Sequence, residues 1–236
     1  MYPYLFGMEN WRMYDLIGVI GGVLLLIFFI CKRNNYFEPL SAEQRQARWH
    51  FWLFLAVQVV AYAFGGTVFG ALVSRATEFF GYVTVSAVGM VLTAATLGYR
   101  PLRWLDRTVP LYLTLAATLK LSCFCSGCCY GLPWERGLWN MRQHQAQFPI
   151  QLAEMAAYVL LLWVLLRYRG GDGQRFALFV TGYAAVRFAV QFFRADVGVF
   201  TPFHWMSAVF FALGATMWAV CALYRRKNVS HETEAL

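Results

Sequence analysis

Lys120-Leu121-Ser122-Cys123-Phe124-Cys125-Ser126-Gly127-Cys128-Cys129-Tyr130-Gly131 closes an apolar run that begins near Val109, and its reading decides the fold. It sets a lysine, four cysteines and two glycines at the end of a segment otherwise suited to lipid. A charged side chain at bilayer depth costs about 2.5–3.5 kcal/mol on insertion scales. The run therefore faces other helices, a cavity or a ligand rather than acyl chains. The segments before and after it then form the walls of that place.

The rest of the chain is built for a bilayer. Of 236 residues, 60% are hydrophobic and only 14% are charged, where a soluble domain carries about 25% charged residues. We expect an all-α membrane protein of about seven transmembrane helices, near residues 14–31, 50–74, 81–99, 109–131, 150–167, 175–194 and 202–224. They form one membrane domain over residues 1–227, and a polar, disordered cytoplasmic tail is expected over 228–236. The first apolar run has no basic region before it and no small-residue cleavage site after it, so it is expected to stay as the first span.

Thirteen of the twenty Lys and Arg residues, Lys32, Arg33, Arg100 and Arg225 among them, flank one set of span ends. Five flank the other: Arg12, Arg75, Arg136, Arg142 and Arg194. The positive-inside rule then predicts an outside N-terminus and a cytoplasmic C-terminus. The net charge of +8 falls between apolar runs, with no basic stripe, so no nucleic-acid partner is expected.

That topology gathers the unusual polar residues in one slab, toward the outer face. Tyr183, Arg187, Gln191 and Arg194 form one helical stripe, with Arg187 roughly 10 Å deeper than Arg194 at the rise of an α-helix. Guanidinium groups suit a phosphate because they donate two parallel hydrogen bonds. The plainer reading is an ion pair of Arg187 with Glu154 and a snorkelling Arg194. Lys120 is either a phosphate ligand or base, or a packing partner of Glu154. Glu154 is a counter-ion or a base, and His204 a general base or an interface histidine.

The cysteines allow three readings. Small thiols beside Gly127 and Gly131 let a headgroup approach the backbone, a disulfide forms on an oxidising face, or the thiols ligate a soft metal. Zinc sites usually have two separated ligand pairs, so no metal is expected. In the 131–149 connection, Trp134 and Trp139 read as interface anchors or as part of a lid or acceptor-docking arm.

Ser122–Gly131 and Phe148-Pro149-Ile150-Gln151-Leu152-Ala153-Glu154 resemble the prolipoprotein diacylglyceryl transferase family, more closely its branch with a G-C-C-Y-G signature. Arg187-Phe188-Ala189-Val190-Gln191-Phe192-Phe193-Arg194 is similar to the family's R-F-x-x-E-F-x-R stretch, and Trp11-Arg12-Met13-Tyr14 resembles its N-terminal opening. The resemblance implies an enzyme of the bacterial cytoplasmic membrane. It would take diacylglyceryl from a glycerophospholipid such as phosphatidylglycerol and join it as a thioether to the lipobox cysteine of a preprolipoprotein. It also implies that Tyr14 lines the cavity, Arg187 holds the phosphate or orients the glyceryl carbon, and Arg194 assists at the mouth. No cofactor is implied.

The sequence departs from the family at several polar positions. Thr67 stands where the family has an arginine, no histidine lies near Val83–Gly89, Gln191 replaces a glutamate, and His204 replaces a glutamine. Two function classes follow. One is a transferase acting on a lipobox cysteine or another acceptor. The other is a non-catalytic lipid-binding or partner membrane protein on the same scaffold.

Overall fold

The computed structural model describes residues 20–21, 49–72, 78–140, 143–195 and 201–234. Its helices are α1 (Trp49–Leu72), α2 (Glu78–Thr96), α3 (Pro101–Ser126), α4 (Ile150–Arg167), α5 (Gln174–Gln191) and α6 (Pro202–Glu234). Two strands, β1 (Pro133–Asn140) and β2 (Gln145–Gln147), lie between α3 and α4. The first expected span, with Tyr14, lies outside the described residues except for 20–21, which are helical.

Among the described residues, four helices are long and apolar enough to cross a membrane: most of α2, all of α3 and α4, and α6 as far as Arg226. The chain is a multi-pass membrane protein. Large apolar side chains remain exposed along these helices, such as Leu92 of α2, Leu160 and Trp163 of α4, and Leu213 and Leu223 of α6. Such faces suit acyl chains, because lipid replaces the water they would otherwise meet.

Three expectations need correction. The chain is not purely helical, because the 131–149 connection carries an antiparallel hairpin in which Trp139 faces Ala146 and Asn140 faces Gln145. The register slips between Pro133 and Leu138, and a Cβ on Gly137 in that bulge would strike the Gln147 backbone. Secondly, α3 starts at Pro101 rather than near Val109. Proline suits the first helical position, where no N–H is needed, and the charges that follow do not break a helix. Thirdly, α6 continues to Glu234, through the stretch expected to be a disordered tail. Residues 228–234 contain no glycine or proline to stop it.

Contacts divide the chain into two compact units. In the unit comprising residues 28–109, 169–178 and 214–236, Phe54 stacks on Trp104 at 4.3 Å, and His50 bonds the Tyr99 hydroxyl at 2.8 Å. Buried Gln58 accepts from Tyr82 at 2.9 Å and from Ser86 at 2.7 Å, joining α1 to α2. A Cβ on Gly65 would lie 2.6 Å from the Gly81 carbonyl, so glycine is what lets these helices touch. The Asp106 carboxylate accepts from the N–H groups of Gly173 and Phe176 at 2.8 and 2.7 Å, satisfying donors at the start of α5.

Candidate active site

The other unit comprises residues 1–27, 110–168 and 179–213, and it contains every described candidate residue. Its base is aromatic: Tyr112 stacks on Phe179 at 5.3 Å, and Tyr158 stacks on Tyr183 at 5.2 Å. Above this lies Glu154, only 2% exposed. One carboxylate oxygen receives the Lys120 ammonium of α3 at 2.8 Å. The other receives the Arg187 guanidinium of α5 and the Tyr158 hydroxyl of α4, both at 2.5 Å. Three helices are thus tied through one carboxylate.

Both ion pairs that the sequence offered as the plainer alternative are present together. The combination has a consequence that either pair alone lacks. Two cations against one anion leave a buried net charge of plus one, and low dielectric makes that charge expensive without an anion. Glu154 has both oxygens committed, which is the geometry of a counter-ion. Arg187 also lies over the Phe203 ring at 5.4 Å, a contact that orients its plane.

The expected stripe is buried along its whole length, from Tyr183 through Arg187 and Gln191 to Arg194. Helix α5 ends at Gln191, however, so Arg194 sits beyond it. A backbone bridge holds Arg194 beside Gly131, with Leu132 N–H donating to Phe193 O at 3.0 Å and Ala195 N–H to Tyr130 O at 3.1 Å. Among the described residues, neither amide atom of Gln191 has a hydrogen-bond partner, although the residue is 2% exposed. A buried amide left unpaired costs about 1–3 kcal/mol. Such a group marks a place for a polar ligand.

His204 is 1% exposed and packs against Phe188 and Phe192 at 5.4 and 4.7 Å between ring centroids. Its Nδ1 faces the Thr201 N–H at 3.3 Å and the Thr201 hydroxyl at 3.4 Å. Thr201 can serve either tautomer, donating through N–H or accepting through oxygen.

Helix α3 ends in a Schellman cap. Cys128 N–H bonds Cys123 O at 3.2 Å and Gly127 N–H bonds Phe124 O at 3.3 Å, with Gly127 at φ 70°. The cap folds the chain back so that the sulfurs of Cys123, Cys128 and Cys129 all lie within 4.8 Å of one another. Cys125 stays outside this group, and all four are free thiols.

A family model described as prolipoprotein diacylglyceryl transferase matches residues 8–220. The chain belongs to the prolipoprotein diacylglyceryl transferase family. A phosphatidylglycerol–prolipoprotein diacylglyceryl transferase of Clostridium tetani is 26% identical over 128 residues, covering 50% of this chain and 51% of that protein. One from Dehalococcoides mccartyi is 29% identical over 143 residues, covering 56% of this chain and 51% of that protein. The chain spans about half the length of the curated relatives it matches.

Within this diacylglyceryl transferase family member, two further buried polar residues lie beside the candidate residues that the sequence singles out. Asn140 and Gln147, both fully buried, pair across the hairpin at 2.8 Å, and Asn140 also donates to Gly127 O at 3.3 Å. Gln151 donates to Cys128 O at 2.6 Å. The hairpin base is therefore clamped onto the turn that carries the cysteines. Nothing in one sequence marks Asn140 out, because it follows an exposed tryptophan in a strand too irregular to alternate. Gly131 is explained by backbone contact, since a Cβ there would run into the Phe148 carbonyl. Gly131→Ala is expected to lower stability by about 1–3 kcal/mol. Thermal unfolding in detergent checks this, and an unchanged midpoint would mean the connection relaxes freely.

Proposed function

We propose that this protein is a bacterial inner-membrane transferase with seven spans and an outside N-terminus, moving diacylglyceryl from a glycerophospholipid such as phosphatidylglycerol to a thiol. The observation that carries the reading is the buried excess of one positive charge at Lys120, Glu154 and Arg187. A phosphodiester headgroup supplies the missing anion. Arg187 and Arg194 hold its oxygens, Lys120 supports the phosphate as it departs, and Glu154 keeps both deeper cations in place. The Gln191 amide bonds glycerol hydroxyls or phosphate oxygens. Tyr14 lines the same cavity, and Gly127 and Gly131 form a wall of bare backbone beside the headgroup.

The acceptor sulfur attacks the glyceryl carbon that carries the phosphate. The carbon–oxygen bond breaks, its electron pair leaves on the phosphate oxygen, and glycerol phosphate departs. The thiol proton goes to His204, the candidate base, a buried imidazole packed against Phe188 and Phe192 of the arginine stretch. The acceptor is the lipobox cysteine of a preprolipoprotein, as the names of the relatives suggest, or another membrane thiol.

The test combines purified protein, phosphatidylglycerol and a synthetic lipobox cysteine peptide. Mass spectrometry is expected to find the diacylglyceryl-thioether peptide, and Arg187→Ala should abolish it. The absence of a histidine near Val83–Gly89 favours a second reading, a non-catalytic lipid-binding protein on this scaffold. Lipid that co-purifies in an Arg187-dependent way without product would establish that second reading.

A further inference from the structure

The thiol cluster at the end of α3 is not used by the transfer chemistry. In a Schellman cap the residue three from the helix end usually makes an apolar contact with the residue two past it. Here those positions are Cys123 and Cys128, and packing accounts for both. It does not account for Cys129. That residue sits at φ 53°, in the left-handed region where an L side chain is disfavoured and asparagine or glycine is usual. Its conformation brings a third sulfur onto the pair. Cys128 is further oriented by the Ser126 hydroxyl, 3.1 Å from its sulfur.

We propose that Cys123, Cys128 and Cys129 form a three-thiolate site for a soft d10 cation of the Cu(I) or Zn(II) class. Metal–sulfur bonds of about 2.3 Å place thiolate sulfurs about 3.8–4.0 Å apart around one ion. The sulfurs lie within 4.8 Å already, so closing on an ion needs rotation of side chains rather than movement of the helix. Thiolate ligands select soft cations over hard ones. Binding three thiols releases three protons and leaves a net negative complex. Lys120, one helical turn before Cys123, and Arg194, bridged to Gly131 two residues past Cys129, bring positive charge near the cluster to offset it. The Gln151 bond to Cys128 O and the Asn140 bond to Gly127 O hold the turn from behind, as outer partners of a metal site do.

The probe is Cd(II), added to reduced, full-length protein in detergent under anaerobic conditions. Thiolate-to-cadmium absorbance should saturate at one ion per chain. Alkylation followed by mass spectrometry should show Cys123, Cys128 and Cys129 protected by the ion, while Cys125 and Cys221 react. Cys129→Ser should weaken uptake by at least about 100-fold, since even outer partners of metal sites are worth about 10–100-fold. Cys125→Ser should match the parent. Alkylation of the parent needs no variant to fold, so a destabilised mutant does not spoil the test. No saturable absorbance, or protection of a different set of cysteines, would overturn the site. So would an oxidised pair that takes up no cadmium after reduction. The outcome is separate from transfer, because a preparation inactive toward the peptide can still take up cadmium.

Discussion

Glu154→Leu is expected to be the most destabilising single change in the described chain. It removes the one anion that Lys120 and Arg187 share at 2.8 and 2.5 Å, and it leaves the Tyr158 hydroxyl without its acceptor. Breaking a buried ion pair from one side costs about 3–5 kcal/mol, because the remaining charge stays desolvated. Here two cations are stranded rather than one. The expected result is a large fall in the thermal midpoint in detergent, with much of the protein lost to aggregation on size exclusion. Glu154→Gln keeps an acceptor for Tyr158 and loses only charge, so its loss should be smaller. Lys120→Met in the Glu154→Leu background removes one stranded cation and should recover part of the stability. That coupling separates an electrostatic cause from a simple packing cause. A Glu154→Leu protein as stable as its parent would show that the carboxylate does not hold the helices together.

The ion cluster was legible as a set of residues but not as one object. Lys120, Glu154 and Arg187 stand out in sequence because charge inside an apolar run is costly, and that argument needs no structure. Their stoichiometry did not follow from it. Each basic residue reads separately as a plausible partner of Glu154, and only three-dimensional placement shows that both use it at once. The meeting of three cysteine sulfurs is hidden in the sequence for a different reason. C-x-C-x-x-C-C has no separated ligand pairs, so spacing argued against a shared site. The convergence comes from a helix cap at Gly127 and a left-handed Cys129, which are properties of backbone angles. The hairpin is hidden in the sequence because its short second strand, Gln145–Gln147, carries no alternating apolar pattern. Asn140 and Gln147 are buried there by pairing with each other, a non-local fact.

The largest effect on function that leaves the fold intact is expected from Arg187→Lys. Lysine keeps the positive charge, and its ammonium can still meet the Glu154 carboxylate, so the ion cluster survives. What it loses is the planar fork. In the parent, one guanidinium nitrogen serves Glu154, while the ring of Phe203 at 5.4 Å sets the orientation of the plane. A guanidinium so held can bond Glu154 and a phosphate simultaneously, whereas an ammonium is a single point charge on a flexible stem. The interaction with the departing phosphate should weaken most, because charge accumulates there as the carbon–oxygen bond breaks. Losing one such donor costs about 10²–10³-fold in kcat. The expected outcome is therefore a drop of that order in thioether formation, with a thermal midpoint close to the parent's. Gln191→Leu should behave in the opposite sense for stability, since it replaces an amide with no partner among the described residues by a group that needs none. If Arg187→Lys transfers as fast as the parent, the guanidinium fork does not act on the phosphate. Arg187 would then be reduced to what its contact with Glu154 already makes it, one half of a structural ion pair.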